Sequence, residues 1–379
     1  MDRRTKYRHL LWWIICLDLL TVIWLGYRYL DRKIPDELYV TESQEQQVKN
    51  VLDYPLLSFD DAITVSGDGS YLLSSRILGV IPFKDVKVIP TDSTTVLVSG
   101  STVGIYMETD GVLVIDTGEI ISEEGRAEEP AEKIIEPGDY IVAFNDEIIE
   151  TKKDLVEDLE KLKQDTVESQ VIRKGKKIPL SLSPVKDIKG EYKLGIWVRD
   201  NTQGIGTLTF VDQNGNYGAL GHGISDVDTG ELLHIDDGDL YQAQIVGIQK
   251  GSSGSPGELS GLIHYEAEKI IGSIEKNCEQ GIYGKLSELP EELGLRKMEV
   301  AYKQELEIGP ASILCCVDGT VREFDAEITR IDMNHEDTNK SFVIQVTDPE
   351  LLELTGGIVQ GMSGSPVIQN GKFVGAVTH

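Results

Sequence analysis

Gly361-Met362-Ser363-Gly364-Ser365-Pro366, together with Val367-Ile368-Gln369-Asn370-Gly371-Lys372-Phe373-Val374-Gly375-Ala376 directly after it, decides how this chain is read. The first six residues have the form Gly-x-Ser-Gly-x-Pro. Glycines on either side of a serine let the backbone fold tightly behind it. The N–H groups of Gly361 and Ser363 can then converge on a point where an oxyanion would develop. The stretch from Val367 to Ala376 alternates as strand, Asn-Gly turn and strand, the strongest short-range signal for a two-residue hairpin. Ser363 is therefore a candidate nucleophile on a β scaffold. On the motif alone, a flexible Gly-Ser loop remains the other reading.

The chain carries a second copy, Gly251-Ser252-Ser253-Gly254-Ser255-Pro256. Both cannot be the nucleophile of one triad. The first copy is either a product of barrel duplication or a structural turn near the site. A serine nucleophile needs a base and a group to orient it. His222 stands between two glycines in Gly218-Ala219-Leu220-Gly221-His222-Gly223-Ile224-Ser225-Asp226, which leaves its ring open on one side, as a general base requires. His234 and His335 sit in acidic, loop-like contexts and read as surface residues. His264 lies in an apolar strand and reads as core, and His379 is terminal. For the acid, spacing does not choose among Asp226, Asp228, Asp236, Asp237, Asp239 and Asp348. Asp348 comes after the strand-like Phe342-Val343-Ile344-Gln345-Val346 and precedes Ser363 by 15 positions.

With 379 residues, of which 40% are hydrophobic, the chain can build two or three domains with ordinary cores. Net charge is −28; residues 1–33 carry +4 and the remainder −32. So acidic a body argues against nucleic-acid partners and against polybasic membrane-surface binding. Arg3, Arg4, Lys6 and Arg8 precede an apolar run from Leu10 that continues to Leu30, flanked by Trp12, Trp13, Trp24, Tyr27 and Tyr29. This pattern fits a signal anchor, with a tail at 1–9 inside, a membrane span at 10–30 and the body outside. A cleaved signal peptide is the alternative, although the run ends without a small-x-small site. Cys16 lies in the span; Cys278, Cys315 and Cys316 lie in the body. Outside the cytoplasm Cys278 can bridge to Cys315 or Cys316, and buried thiols are the other reading. The cysteines and histidines form no ligand cluster, so neither a metal nor a cofactor is expected.

Residues 31–90 read as a juxtamembrane spacer, polar and loosely patterned over 34–66, with strands beyond. Residues 91–186 order themselves as a compact module. Leu155, Leu159 and Leu162 mark one helical face between 154 and 163. This module resembles a PDZ domain. Gly104, Ile105, Tyr106 and Met107 look like its carboxylate-binding loop, and Pro137-Gly138-Asp139-Tyr140-Ile141-Val142-Ala143-Phe144-Asn145-Asp146 looks like its Pro-Gly-Asp strand, with Asp146 where Gly is usual. The resemblance implies binding of an extended peptide, either the chain's own N-terminal segment or a partner's terminus. A spacer that binds nothing is the alternative. From 187 to 379 short strands and Gly-rich turns predominate, the pattern of a β-barrel or sandwich.

Anchor, PDZ-like module, Gly-Ala-Leu-Gly-His-x-Ile-Ser-Asp and Gly-Met-Ser-Gly-Ser-Pro, in that order, resemble the stage IV sporulation protein B peptidase family. The resemblance covers essentially the whole chain. It implies a mainly β protein with a transmembrane helix, a PDZ domain and a chymotrypsin-like double β-barrel. It also implies His222 as general base, Asp348 as acid, Ser363 as nucleophile, and the N–H groups of Gly361 and Ser363 as oxyanion hole. The implied activity is a serine endopeptidase of sporulation signalling. Such an enzyme is exported across the forespore membrane, cleaves itself and a membrane-bound regulator, and so leads to activation of a late mother-cell sigma factor. Two features depart from ordinary chymotrypsin-like enzymes. The acid would come from the second barrel, and Met362 stands where their zymogens carry an aspartate that pairs with a new N-terminus. Relatives also continue some tens of residues beyond the position matching His379, so a fragment lacking final strands is expected. An inactive PDZ adaptor and an HtrA-like quality-control protease are the alternatives; the second is weakened because the PDZ-like module precedes the peptidase.

Overall fold

The computed structural model describes residues 3–41, 52, 54, 56–60, 63–64, 69–332, 334 and 340–378. Helix α1 (Arg3–Lys33) opens the chain. Its portion Tyr7–Lys33 is long and apolar enough to cross a membrane, and none of that apolar window is buried against the rest of the protein. It fits a membrane anchor or a signal sequence. The strands expected beyond residue 66 form a sheet that also takes in Glu37–Val40, from the stretch read as loosely patterned. Glu37–Val40 pairs in parallel with Ile81–Pro90, which pairs in turn with Tyr71–Ile77. Ile34, Leu38, Val40, Leu52, Val86 and Val88 form a core of their own. Lys84 ties this sheet to the end of α1, donating to the Ile34 carbonyl at 2.9 Å and pairing with Asp36 at 2.6 Å. A lysine at a helix C-terminus satisfies carbonyls that lack an intrahelical partner.

Six strands close the first barrel: β1 (Thr102–Thr117), β2 (Ile196–Val211), β3 (Asn216–Ala219), β4 (Ile235–Gln249), β5 (Ile270–Cys278) and β6 (Gly281–Leu286). Antiparallel pairing runs β1–β4–β5–β6–β3–β2 and returns from β2 to β1, so the ring has no free edge. The period-2 alternation of β1 explains its place: Val103, Ile105 and Met107 point inward, at most 2% exposed, onto Leu208, Tyr217, Leu240 and Ile274.

A second sheet comes next, with β7 (Gly309–Cys316), β8 (Val321–Ile331), β9 (Phe342–Val346), β10 (Pro366–Gln369) and β11 (Lys372–Ala376) in the spatial order β9–β8–β7–β10–β11. Helix α3 (Pro349–Thr355) joins β9 to the turn before β10. Ile313, Cys315, Phe324, Met362, Val367 and Leu351 build its core, joined by Leu259 from the Glu258–Ile263 strand that pairs with the far end of β4. The hairpin foreseen at Asn370-Gly371 is present. Gln369 faces Lys372, and φ is 52° at Asn370 and 76° at Gly371, the two positive values that a type I′ turn demands.

Between β1 and β2 the chain inserts a second small core. Helix α2 (Lys152–Glu160) starts at Thr151, whose side chain and that of Asp154 cap each other's backbone N–H. It packs Leu155 and Leu159 against Val112, Ile141, Phe144 and Val171. Asn145 (φ 50°) and Asp146 (φ 67°) form a two-residue hairpin in which Asp146 takes the position usual for Gly. The module expected at 91–186 therefore has different limits. Most of β1 belongs to the barrel, and the inserted core reaches forward to Leu194.

Candidate active site

The barrel and the second sheet each contribute one of the expected reacting side chains. His222 sits on the loop between β3 and β4; Ser363 sits on the turn between α3 and β10. Both line one cavity of about 490 Å³, together with Gly361 and Thr378. The rest of the wall includes Ile205, Leu220, Ile224, Ile358 and Val359, and no Asp, Glu, Lys or Arg is among its described residues.

The serine turn is held from beneath by β2. Thr207 Oγ1 donates to the Gly361 carbonyl at 2.9 Å, the Thr207 N–H to the Ser363 carbonyl at 3.1 Å, and Thr209 Oγ1 to the Gly364 carbonyl at 2.7 Å. Gly364 has φ +94°, and a Cβ there would lie 2.3 Å from the Thr207 carbonyl oxygen and 2.5 Å from the Leu220 nitrogen. Neither backbone atom can retreat, so only glycine fits. Met362 is fully buried in the second core and anchors the turn by packing. Among the described residues, the N–H groups of Gly361 and Ser363 donate to nothing within the protein. Unpaired N–H groups flanking a serine are what an oxyanion site requires. The Ser363 hydroxyl donates to the Thr378 carbonyl at 3.2 Å.

His222 Nδ1 lies 2.9 Å from the carbonyl oxygen of Gly223. A carbonyl only accepts, so Nδ1 carries a hydrogen, and in the neutral ring the lone pair is then on Nε2. That is the tautomer a general base needs. Gly223 is required for its own reason: a Cβ there would meet Leu232 Cδ1 at 2.3 Å and the Cys278 carbonyl at 2.5 Å.

Asp348 does not join this pair in the structure. It is the N-cap of α3: Oδ1 accepts from the N–H groups of Glu350 at 2.9 Å and Leu351 at 3.0 Å, and Oδ2 from Asp325 N–H at 3.4 Å. An aspartate immediately before a helix, with Pro349 as the first helical residue, is a strong cap, and sequence spacing before a serine cannot distinguish a cap from a triad acid. Asp226 is also engaged elsewhere, with Arg199 and the N–H groups of Asp228 and Thr229. Asp228 pairs with Arg199, Asp237 accepts from Gly238 N–H and Asp239 from the Tyr241 hydroxyl. His234 is exposed, edge-on to Tyr140. His264, expected in a core, is half-exposed 3.9 Å from Glu266. His335 and His379 lie outside the described residues.

The second serine motif is the tip of a hairpin, with Ser252 and Ser255 exchanging backbone hydrogen bonds. Pro256 lines the cavity, so this copy is a structural turn beside the site. Gly104, Ile105, Tyr106 and Met107 require a correction. They lie in mid-β1, paired with Ile205 to Thr202 on one side and Tyr241 to Gly238 on the other. With both edges taken, this stretch has no backbone to offer a peptide. The groove of the inserted module lies elsewhere, a cavity of about 310 Å³ between Leu155, Val156 and Leu159 of α2 and residues 194–198. There, among the described residues, the start of β2 pairs with β1 alone. Leu194-Gly195-Ile196-Trp197 follows the module's helix in the sequence, but nothing local to it says that it borders that helix. Thr207 and Thr209 were not identifiable from sequence, because nothing local to β2 says what its hydroxyls meet.

The described cysteines form no disulfide, and burial pushes the Cys315 thiol up to about 12. Among the described residues no group of three or more His, Cys, Asp or Glu is placed to hold a metal.

A family model described as SpoIVB peptidase S55 matches residues 190–379. Among solved structures, the PDZ domain of the SdrC-like protein from Listeria monocytogenes is similar at 21% identity, over 24% of this chain and 87% of that one, with a TM-score of 0.20. No curated protein matches. With a match that spans half of its length and includes both His222 and Ser363, the chain belongs to the SpoIVB peptidase S55 family, a family of serine peptidases.

Proposed function

We propose that Ser363 is the nucleophile and His222 the general base of an endopeptidase that acts next to a membrane. The observation that carries this reading is the shared cavity: two side chains from different sheets, with the unpaired N–H groups of Gly361 and Ser363 beside them. Ser363 Oγ leaves the Thr378 carbonyl and attacks the scissile carbonyl carbon while His222 Nε2 takes its proton. The oxyanion settles on the two N–H groups. His222 then returns the proton to the leaving amine, and water releases the acyl group by the same steps. Asp348 serves as the triad acid only if its carboxylate leaves the α3 cap. The apolar wall suits an uncharged substrate side chain next to the cleaved bond.

The α2 groove is the proposed peptide-capture site, where an extended segment adds a strand to the free edge of residues 196–198. As substrates we propose the chain itself and a membrane-bound regulator, in the sporulation pathway that activates a late mother-cell sigma factor, with the body facing the space between forespore and mother cell. Labelling with a fluorophosphonate probe tests the core of this reading. Wild type and Ser253→Ala should label and self-cleave, and Ser363→Ala should do neither. Labelling lost in Ser253→Ala but kept in Ser363→Ala would reverse the two motifs, and an unlabelled wild type would favour an inactive adaptor.

A further inference from the structure

A general base must be held as firmly as the nucleophile it serves, and His222 sits on a loop. The strand β3 ends at Ala219, and β4 begins at Ile235. The loop between them is itself a small hairpin. Leu233 N–H donates to the Ile224 carbonyl at 3.0 Å and Asp226 N–H to the Glu231 carbonyl at 2.9 Å. Its tip is closed by Asp226, whose side chain is fully buried and neutralised by Arg199 of β2.

The root of this hairpin is held to the barrel by Gly223 N–H, which donates to the Glu279 carbonyl at 3.3 Å, and by one side chain. Asn277 of β5 accepts from Ile224 N–H through Oδ1 at 2.9 Å. Through Nδ2 it donates to the Ile224 carbonyl at 2.8 Å and to the Leu233 carbonyl at 2.9 Å. Both amide hydrogens and the carbonyl are thus in use, and they grip both arms of the loop two residues beyond His222. An amide is the only uncharged side chain of this size that offers two donors and an acceptor in one plane. Asn277 belongs to β5 of the closed barrel, paired there with Ile282, so the grip ties the loop to the barrel wall.

We propose that Asn277 is the positioning residue for His222: it fixes the root of the loop, and with it the direction in which Nε2 faces Ser363. It touches neither substrate nor the reacting atoms. This inference rests on the assignment of His222 and Ser363 as base and nucleophile. Displacement of a reacting group by about 1 Å can lower turnover on the order of 10²-fold.

The test compares wild type, Asn277→Asp and Arg199→Lys in the full chain. Asn277→Asp keeps the acceptor for Ile224 N–H and turns two donors into an anion facing two carbonyls. Arg199→Lys loosens only the tip. For a small ester substrate, Asn277→Asp should lower kcat by about 10²-fold with KM within about twofold. The acidic limb of its pH–rate profile, where the general base loses its proton, should move, because a carboxylate then lies near the imidazole. Arg199→Lys should fall between the two. Fluorophosphonate labelling should slow in the same order, measured on protein shown to be folded by its thermal transition. Equal labelling rates and an unchanged pH profile in folded Asn277→Asp would overturn the inference. Absence of labelling in wild type would instead remove the serine-peptidase assignment on which it rests.

Discussion

Thr207→Val tests whether β2 holds the serine turn in working order. The two side chains have nearly the same shape, and Thr207 is 2% exposed, so the change opens little cavity. What it removes is the 2.9 Å bond to the Gly361 carbonyl. That carbonyl has no other described donor. Leaving such a group without its partner costs about 1–3 kcal/mol of stability. The kinetic effect comes from position: Gly361 carries one of the two N–H groups proposed for the oxyanion, and tilting its residue withdraws that donor. Complete loss of one such donor costs on the order of 10²–10³ in kcat, which sets the upper limit here. Thr209→Val is the control. It removes the 2.7 Å bond to Gly364, a residue that carries no oxyanion donor, so a similar stability cost of about 1–3 kcal/mol should come with a smaller loss of kcat. Urea unfolding measures the first quantity, and ester hydrolysis with fluorophosphonate labelling the second. Equal kcat losses in the two variants would refute the argument, as would a Thr207→Val protein that loses stability but labels at the wild-type rate.

Asp348→Ala should lose about 1 kcal/mol in urea unfolding, while Asp348→Asn, which keeps a capping oxygen, should unfold at the wild-type midpoint; a fall near 10⁴ in turnover for the Asn variant would show that the carboxylate also reaches His222. Gly104→Val should lower stability by about 1–3 kcal/mol and reduce ester and protein cleavage together, since its Cβ would lie 2.5 Å from Ile263 Cγ2; selective loss of protein cleavage would return peptide capture to this stretch. The Cys315 thiol is held protonated in the fold up to about 12, against 9.0 in an exposed chain. Its contribution is therefore complete below pH 9.0 and declines as pH rises towards about 12. Urea midpoints measured from pH 8 upward should show a shallower alkaline decline in Cys315→Ala; parallel curves would exclude this thiol as a source.

Local chemistry was legible along the chain. The Asn370-Gly371 hairpin, the tight turn at Ser363, the apolar helix near the N-terminus and the helix carrying Leu155 and Leu159 are each set by neighbours within a few residues. Positive φ, capping and periodicity leave their mark at short range. The pairing of strands leaves no such mark. Thr102–Thr117 reads as a strand in either module, and only closure of the ring between β1 and β2 assigns most of it to the barrel. That assignment pairs Gly104 to Met107 on both edges, and peptide capture is proposed instead at the cavity beside residues 194–198. The same limit applied to the acid. Asp348 precedes Ser363 by 15 positions in the sequence, but where a carboxylate points depends on which N–H groups the fold presents to it, and here α3 presents its own. Hydrogen bonds across the core, such as those of Thr207, Thr209 and Asn277, join residues 44 to 155 positions apart. Their geometry exists only once the barrel and the second sheet have packed.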